Sequence, residues 1–343
     1  MKRSFYILIS MFLLGFQAWS QTVVSNVIAK REENRQIRIT YDITTLDSTV
    51  RYKIKLYFVP TNTSEKEFEI LDAEGDVGDN FGNGKDKSIL WNPFKSDKNF
   101  VNKGAFKITA LRYKDGMVYV SIKSDSNQNK QADFWMDKLE VTNNQFNEFV
   151  TATKYVTESE KLGKNFVKTK DGWEQQKNIN WHYESNGEKR KTEIGNKVPV
   201  VFVTWNDATA YCKWKLKRLP NSFEWEYSAS GGVFSKGYQY SGSNDVQSVA
   251  WYQKNNERNS LNLVGTKAPN ELYIFDMSGN VSEWCSDNFD GSAEISGKKI
   301  VKGGSVFSSQ DALSLKYRSP MQPDNSYGDV GFRCACSVEN KDK

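Results

Sequence analysis

Apolar and polar residues alternate in short runs between Val23 and Tyr113. Ile37, Ile39, Tyr41 and Ile43 interleave with polar neighbours, and Tyr52, Ile54, Leu56 and Phe58 repeat the rhythm. Period-two patterning predicts strands with one face on a core and one in water. Phe106 to Ala110 adds another such run, and a turn-rich stretch at 76–84 leads into a short strand from Ser88 to Trp91. The acidic residues of that stretch lack EF-hand spacing, so it reads as a turn. About ninety residues with several short strands fit an immunoglobulin- or fibronectin-like β-sandwich over 22–115. The stretch 123–131 has no apolar residue and reads as a linker or surface loop. Beyond it, helix caps appear. Thr142-Asn-Asn-Gln145 forms a capping box ahead of Phe146, Phe149 and Val150. Thr204 to Asp207 opens a second helix carrying Ala208, Tyr211 and Cys212. Asn221 to Glu224 opens a third, which Gly231-Gly232 stops. The rest of 116–343 lacks long periodic elements, which predicts a loop-rich α+β domain. The charged stretch from Glu158 to Gly195 reads as an irregular surface insertion.

Composition alters this picture at the N-terminus. Lys2 and Arg3 precede a short apolar run from Phe5 to Phe16, and Ala18-Trp19-Ser20 offers a cleavage site. Residues 1–20 therefore read as a signal peptide, since a membrane span needs about 20 apolar residues. No cysteine follows it to carry a lipid. Cleavage removes two positive charges and takes the formal net charge from +5 to +3. A near-balanced surface argues against nucleic acid, and Gly187-Glu-Lys-Arg-Lys191 reads as a solvated loop. The four cysteines, Cys212, Cys285, Cys334 and Cys336, contain no Cys-x-x-Cys pair, so neither a zinc ribbon nor a thioredoxin-type site is indicated. In an oxidising compartment they allow three fully paired connectivities. A single histidine, His182, cannot build a multi-histidine metal centre.

Three motifs carry a resemblance. Asp276-Met-Ser-Gly-Asn-Val-Ser-Glu-Trp284, Val301-Lys-Gly-Gly-Ser305 and Gly331-Phe-Arg-Cys334 resemble the core of formylglycine-generating-enzyme, or sulfatase-modifying-factor, domains. Phe134 to Asn143, Val198 to Asn206, Ala210 to Trp214 and Arg218 to Tyr227 continue it in family order. The resemblance runs from Phe134 to Cys336, and it implies an elaborated C-type-lectin-like α+β fold. In that family, two cysteines lie three and eight residues beyond the serine of Gly-Gly-Ser, where they bind copper and oxidise a substrate cysteine. Here those places hold Ser308 and Leu313. Soft thiolates select Cu(I), and a hydroxyl with a hydrocarbon does not. No cysteine lies between Cys285 and Cys334, so a shift of register supplies none. No copper is expected. Ser305 matches the family's active-site serine, but no neighbouring base is visible in sequence. It reads equally as part of a tight β structure with Gly303 and Gly304.

The resemblance also implies a structural Ca2+ held by the Asp276 side chain, the Gly279 and Val281 carbonyls and the Glu283 carboxylate. All are oxygen donors, as a hard cation requires. A calcium-free turn packed by Asn280 and Trp284 is the alternative. The family's second calcium position falls near Val249 and Ala250, where an upstream ligand is lost. Cys212 and Cys334 match cysteines that are disulfide-bonded in the family. Cys285 and Cys336 stay open between a second disulfide and free thiols.

These readings point to an exported protein, periplasmic, cell-surface or secreted, without stable membrane insertion after cleavage. Its expected role is non-catalytic, as a binding or scaffold component of a cell-envelope or secretion/gliding assembly, with an unidentified protein, peptide or glycan partner. The alternative is an enzyme of the same superfamily with an altered site, in which a groove near Arg318 or Arg333 takes a ligand. The favoured reading of those arginines is structural, as donors to loop carbonyls. Carbohydrate recognition through calcium ranks last, because the loop itself uses the ligands.

Overall fold

The computed structural model describes residues 24–338 apart from 33, 45–47, 62–64, 96–102, 123–131, 191–196, 258–259 and 291–296. The expected signal peptide and linker lie outside the described residues. Two compact units divide at Asp115, the second spanning Gly116–Val338.

The described part of the first unit is built of strands. They are Val24–Arg31 (β1), Ile37–Ile43 (β2), Arg51–Pro60 (β3), Phe68–Glu69 (β4), Glu74–Gly75 (β5), Gly78–Phe81 (β6), Gly84–Trp91 (β7) and Gly104–Lys114 (β8). One antiparallel sheet runs β1-β2-β7-β5. In the other, β3 pairs with β8 over its whole length, from Arg51 opposite Tyr113 to Pro60 opposite Gly104, and also takes β4 and β6. Alternation explains both faces. Tyr52, Ile54, Leu56 and Phe58 are buried, as are Ile39, Tyr41, Ile43, Ile89 and Trp91 from the first sheet. Phe58 meets Trp91 at 6.1 Å between ring centroids. The outward residues of β3 pair with charge instead, Lys53 with Asp79 at 2.7 Å and Lys55 with Glu69 at 2.9 Å. Asp76 ties the turn after β5. Its carbonyl accepts from the Tyr41 hydroxyl and its carboxylate from the Ser88 amide at 2.7 Å.

In the second unit, Met117–Val120 (β9), Phe134–Asp137 (β10) and the final strand pair antiparallel, with β10 in the middle. The helices are Asn143–Thr153 (α1), Glu158–Leu162 (α2), Trp205–Trp214 (α3), Ser222–Ala229 (α4) and Val246–Val249 (α5). The first four start at capping boxes, on Thr142, Thr157, Thr204 and Asn221. Each box satisfies orphan amides that a bare helix start would leave open. Asn165–Thr169 (β11), Gly172–Gln176 (β12), Ser282–Asn288 (β13), Lys299–Lys302 (β14), Ser319–Met321 (β15), Ser326–Tyr327 (β16), Val330–Gly331 (β17) and Ala335–Ser337 (β18) complete it. Apart from β18, the final strand that pairs with β10, they form two further sheets, β12-β11-β16 and β15-β14-β13-β17. The core gathers Phe146 and Phe149 of α1, Tyr211 of α3, Trp181, Trp284 and Phe332. Burying such rings supplies about 1.5–3 kcal/mol each from transfer alone. Among the described residues no helix is long and apolar enough to cross a membrane.

The stretch from Glu158 corrects a sequence expectation. It is a structured part of the domain, containing α2 and the β11–β12 hairpin, and it buries Val167 and Trp181. Its charges hid a β pattern in which Asn165 and Val167 face inward and Phe166 and Lys168 do not. Arg190 is buried too, donating to the Tyr183 carbonyl at 2.9 Å, so the basic stretch is only partly solvated.

Candidate functional site

Beyond β14 the chain turns through Gly303 and Gly304, both at positive φ (88° and 66°). A Cβ on Gly304 would lie 2.8 Å from the Ala312 carbonyl oxygen, so only glycine lets this turn close. The turn delivers Ser305, which is fully buried. Its hydroxyl donates to Asp329 Oδ2 at 2.6 Å. Its amide donates to Ser308 Oγ at 2.9 Å, and the two hydroxyls lie 3.3 Å apart. Burial pushes the Asp329 carboxyl up to about 6, against the opposing effect of the Ser305 hydrogen bond and of Lys168. Ser305 therefore does have a basic neighbour, contrary to the sequence reading. Asp329 was missed because it lies 24 residues along the chain. With Ser305 shut from solvent, the arrangement orders the turn; it does not present a nucleophile.

The positions three and eight residues beyond that serine are filled differently. Ser308 is partly exposed and serves the turn. Leu313 is fully buried in an apolar cluster with Tyr240, Val246, Val249, Ala250 and Tyr252. Together they offer one weak oxygen and one hydrocarbon to any metal.

A second buried constellation surrounds the loop 276–284. Gly279, at φ 87°, has no room for a Cβ, which would fall 2.2 Å from the Trp251 carbonyl oxygen. Close backbone approach here holds the loop against Trp251, ahead of the pairing of Ser282 and Glu283 with β17. Glu283 Oε2 accepts from Trp225 Nε1 and Arg333 Nε, both at 2.8 Å, and Oε1 accepts from Arg333 Nη2 at 2.7 Å. Glu283 and Arg333 are both fully buried. Glu140, unnoticed in sequence although it sits inside the Phe134–Asn143 motif, accepts from Asn280 Nδ2 at 2.7 Å and from the Val281 amide at 3.2 Å. Asp276 accepts from the Gly265 amide at 2.6 Å. Burial pushes Asp276 up to about 6, with Glu283 adding to it; burial and both neighbouring carboxylates also raise Glu140 well above the usual carboxylate range. For Arg333, burial opposes the charge but Glu283 overcomes it, and its pKa rises.

This geometry tests the calcium ligands suggested by sequence. Three buried carboxylates share one guanidinium, which leaves excess negative charge that protons or a divalent cation must balance. The hydrogen bonds above use three of the four lone-pair sites on Glu283 and one on Asp276. Oxygen donors remain for a hard cation, although among the described residues no three acidic, cysteine or histidine side chains gather as a metal site. Asp276 and Glu283, with the Gly279 and Val281 carbonyls, are the residues that would hold it.

The other candidates separate. Cys212 Sγ and Cys334 Sγ lie 3.2 Å apart, both buried, as thiols in contact. Cys285 is buried and its carbonyl accepts from Trp205 Nε1 at 2.9 Å, while Cys336 is partly exposed. Arg333, locked on Glu283 and on the carbonyls of Phe275 and Asp137, lines no open groove, which corrects that assignment. Arg318 stays largely exposed, paired with Asp290 at 2.6 Å over the Phe289 ring. The two arginines do not share a site.

Comparison with known proteins agrees with the motifs. Residues 95–338 match the family model described as sulfatase-modifying factor enzyme 1-like domain, which begins before the boundary at 116 read from sequence. A mouse formylglycine-generating enzyme is 32% identical over 246 residues, 59% of this chain and 65% of that protein, so less than two thirds of the mouse relative is spanned. A Streptomyces coelicolor formylglycine-generating enzyme is 32% identical over 246 residues, 59% of this chain and 77% of its own length. Mouse inactive C-alpha-formylglycine-generating enzyme 2 is 30% identical over 240 residues, 60% of this chain and 75% of the relative. The chain belongs to the sulfatase-modifying factor enzyme 1-like (formylglycine-generating enzyme) family.

Proposed function

We propose that this protein is a non-oxidising member of its family, a binding or scaffold component of a cell-envelope assembly. One observation carries the reading: where copper chemistry needs two thiols, the chain has Ser308 and a fully buried Leu313. Neither is a thiolate donor for Cu(I). The name of the mouse relative says that family members without the activity exist, which supports the same reading. Export through a signal peptide at 1–20 belongs to this proposal. So does a β-sandwich for the first unit, supported by the Phe58–Trp91 contact between its sheets. In an oxidising compartment Cys212 and Cys334 close a disulfide; intact mass under non-reducing conditions reads it as a loss of about two mass units. Calcium would supply charge balance to the Asp276–Glu283 loop and clamp it, with no part in a reaction.

The test is a Cu(I) titration against a chelator of known affinity, run beside the double variant Ser308→Cys, Leu313→Cys. The wild type should fail to compete while the variant gains binding. Tight copper binding by the wild type would overturn the proposal and favour an altered enzyme.

A further inference from the structure

The β12-β11-β16 sheet presents a second face, an aromatic one, beside the altered serine site. On β11, Asn165 and Val167 point to the core, which sends Phe166 and Lys168 the other way. Tyr327 stands beside Phe166 in the parallel register, and Trp173 lies directly opposite Lys168. Phe166 and Tyr327 stack at 4.5 Å and 12°. Trp173 meets Tyr327 at 5.5 Å and 81°, and meets Phe307 at 5.8 Å and 82°. All four rings are partly exposed. Lys168 Nζ lies 5.7 Å from the Trp173 centroid and favours the charged form of Asp329. Asp329 and the partly exposed Ser308 adjoin Phe307 through Ser305. The four rings and the Lys168 ammonium form one contiguous patch, with Ser308 next to Phe307 in the chain and Asp329 two residues beyond Tyr327.

We propose that this patch binds a neutral sugar ring, which deepens the binding role above and rests on it. Lys168 and Asp329 cancel, so the patch does not attract a strongly charged ligand. A basic side chain would meet Lys168 and an acidic one Asp329. An apolar side chain would press hydrocarbon on both charged groups and strip their water without replacement. A sugar hydroxyl donates and accepts at once, so neighbouring hydroxyls accept from Lys168 and donate to Asp329 or Ser308. Ser305 has one hydroxyl proton and spends it on Asp329, so in the 3.3 Å contact Ser308 is the donor, or it turns outward to a ligand. The negative faces of the rings attract the polarised C–H face of a pyranose. The calcium ligands take no part in this recognition.

Saturation-transfer NMR on the full protein tests it, with maltohexaose, cellohexaose, xylohexaose and mannohexaose as probes. Saturating the aromatic protons should transfer to ring C–H protons of at least one of them. Trp173→Ala should weaken that binding about ten-fold or more, and Trp173→Phe should largely keep it. Asp329→Asn should weaken it several-fold, with near-ultraviolet circular dichroism showing each variant folded. No transfer from the folded wild type to any of the four, or transfer indifferent to Trp173→Ala and Asp329→Asn, overturns the proposal. The copper titration is a separate readout, so a silent sugar panel leaves the non-oxidising reading standing, and tight copper binding defeats that reading alone.

Discussion

Arg333 shares a fully buried space with Glu140, Asp276 and Glu283. Replacing it by methionine leaves three carboxylates without their guanidinium. Breaking such a pair from one side costs about 3–5 kcal/mol. Urea unfolding of Arg333→Met should show that loss, and a midpoint equal to the wild type's would contradict the assignment. Asp329 makes a pH-dependent contribution of unusual sign. Its folded pKa of about 6 lies above the value of about 3.9 for an unfolded aspartate. The folded state therefore holds the proton more tightly, and the stabilisation is fully present below about pH 4 and lost as pH rises through about 6. Asp329→Asn lacks this dependence. Wild-type stability relative to the variant should fall between pH 4 and 7 by on the order of 1–2 kcal/mol, once partial exposure is discounted. Urea midpoints across that range measure it, and a flat or rising difference would refute the sign.

At the scale of elements, Asp207 joins two helices. It caps α3 through the Thr204 amide at 3.0 Å, and holds α2 through the Glu158 amide at 2.6 Å, the Ser159 amide at 3.3 Å and the Tyr155 hydroxyl at 3.0 Å. Asp207→Ala orphans these donors, which should cost about 2–4 kcal/mol. Hydrogen exchange should quicken at Glu158 and Ser159 before the rest of the core opens; uniform quickening would argue that Asp207 is not a local clamp. The α3 cap was legible in sequence because capping is local, a matter of residues three apart. The alternating strands of the first unit were legible for the same reason. What α2 and β11 rest on was not, because β11 pairs with β16 from 161 residues away and its inward positions begin with a polar Asn165. Asp329 and Glu140 escaped notice on the same ground. Each matters through a partner distant in sequence, at Ser305 and at Asn280.

For the whole molecule, the motif order made the family legible, and the two missing thiols limited the activity that can be drawn from it. Under the proposed role, calcium balances the buried excess of carboxylates. Chelation should lower the unfolding midpoint and added calcium restore it, by about 2.7 kcal/mol at one hundred times the dissociation constant. A midpoint indifferent to both would favour protonated Asp276 and Glu140 in its place. The central claim concerns chemistry, and a peptide's mass tests it most directly. The protein is supplied with copper and oxygen and incubated with a Cys-x-Pro-x-Arg peptide. An unchanged cysteine is the predicted result. Conversion of the cysteine to an aldehyde, by protein whose 308 and 313 positions are intact, would contradict the account.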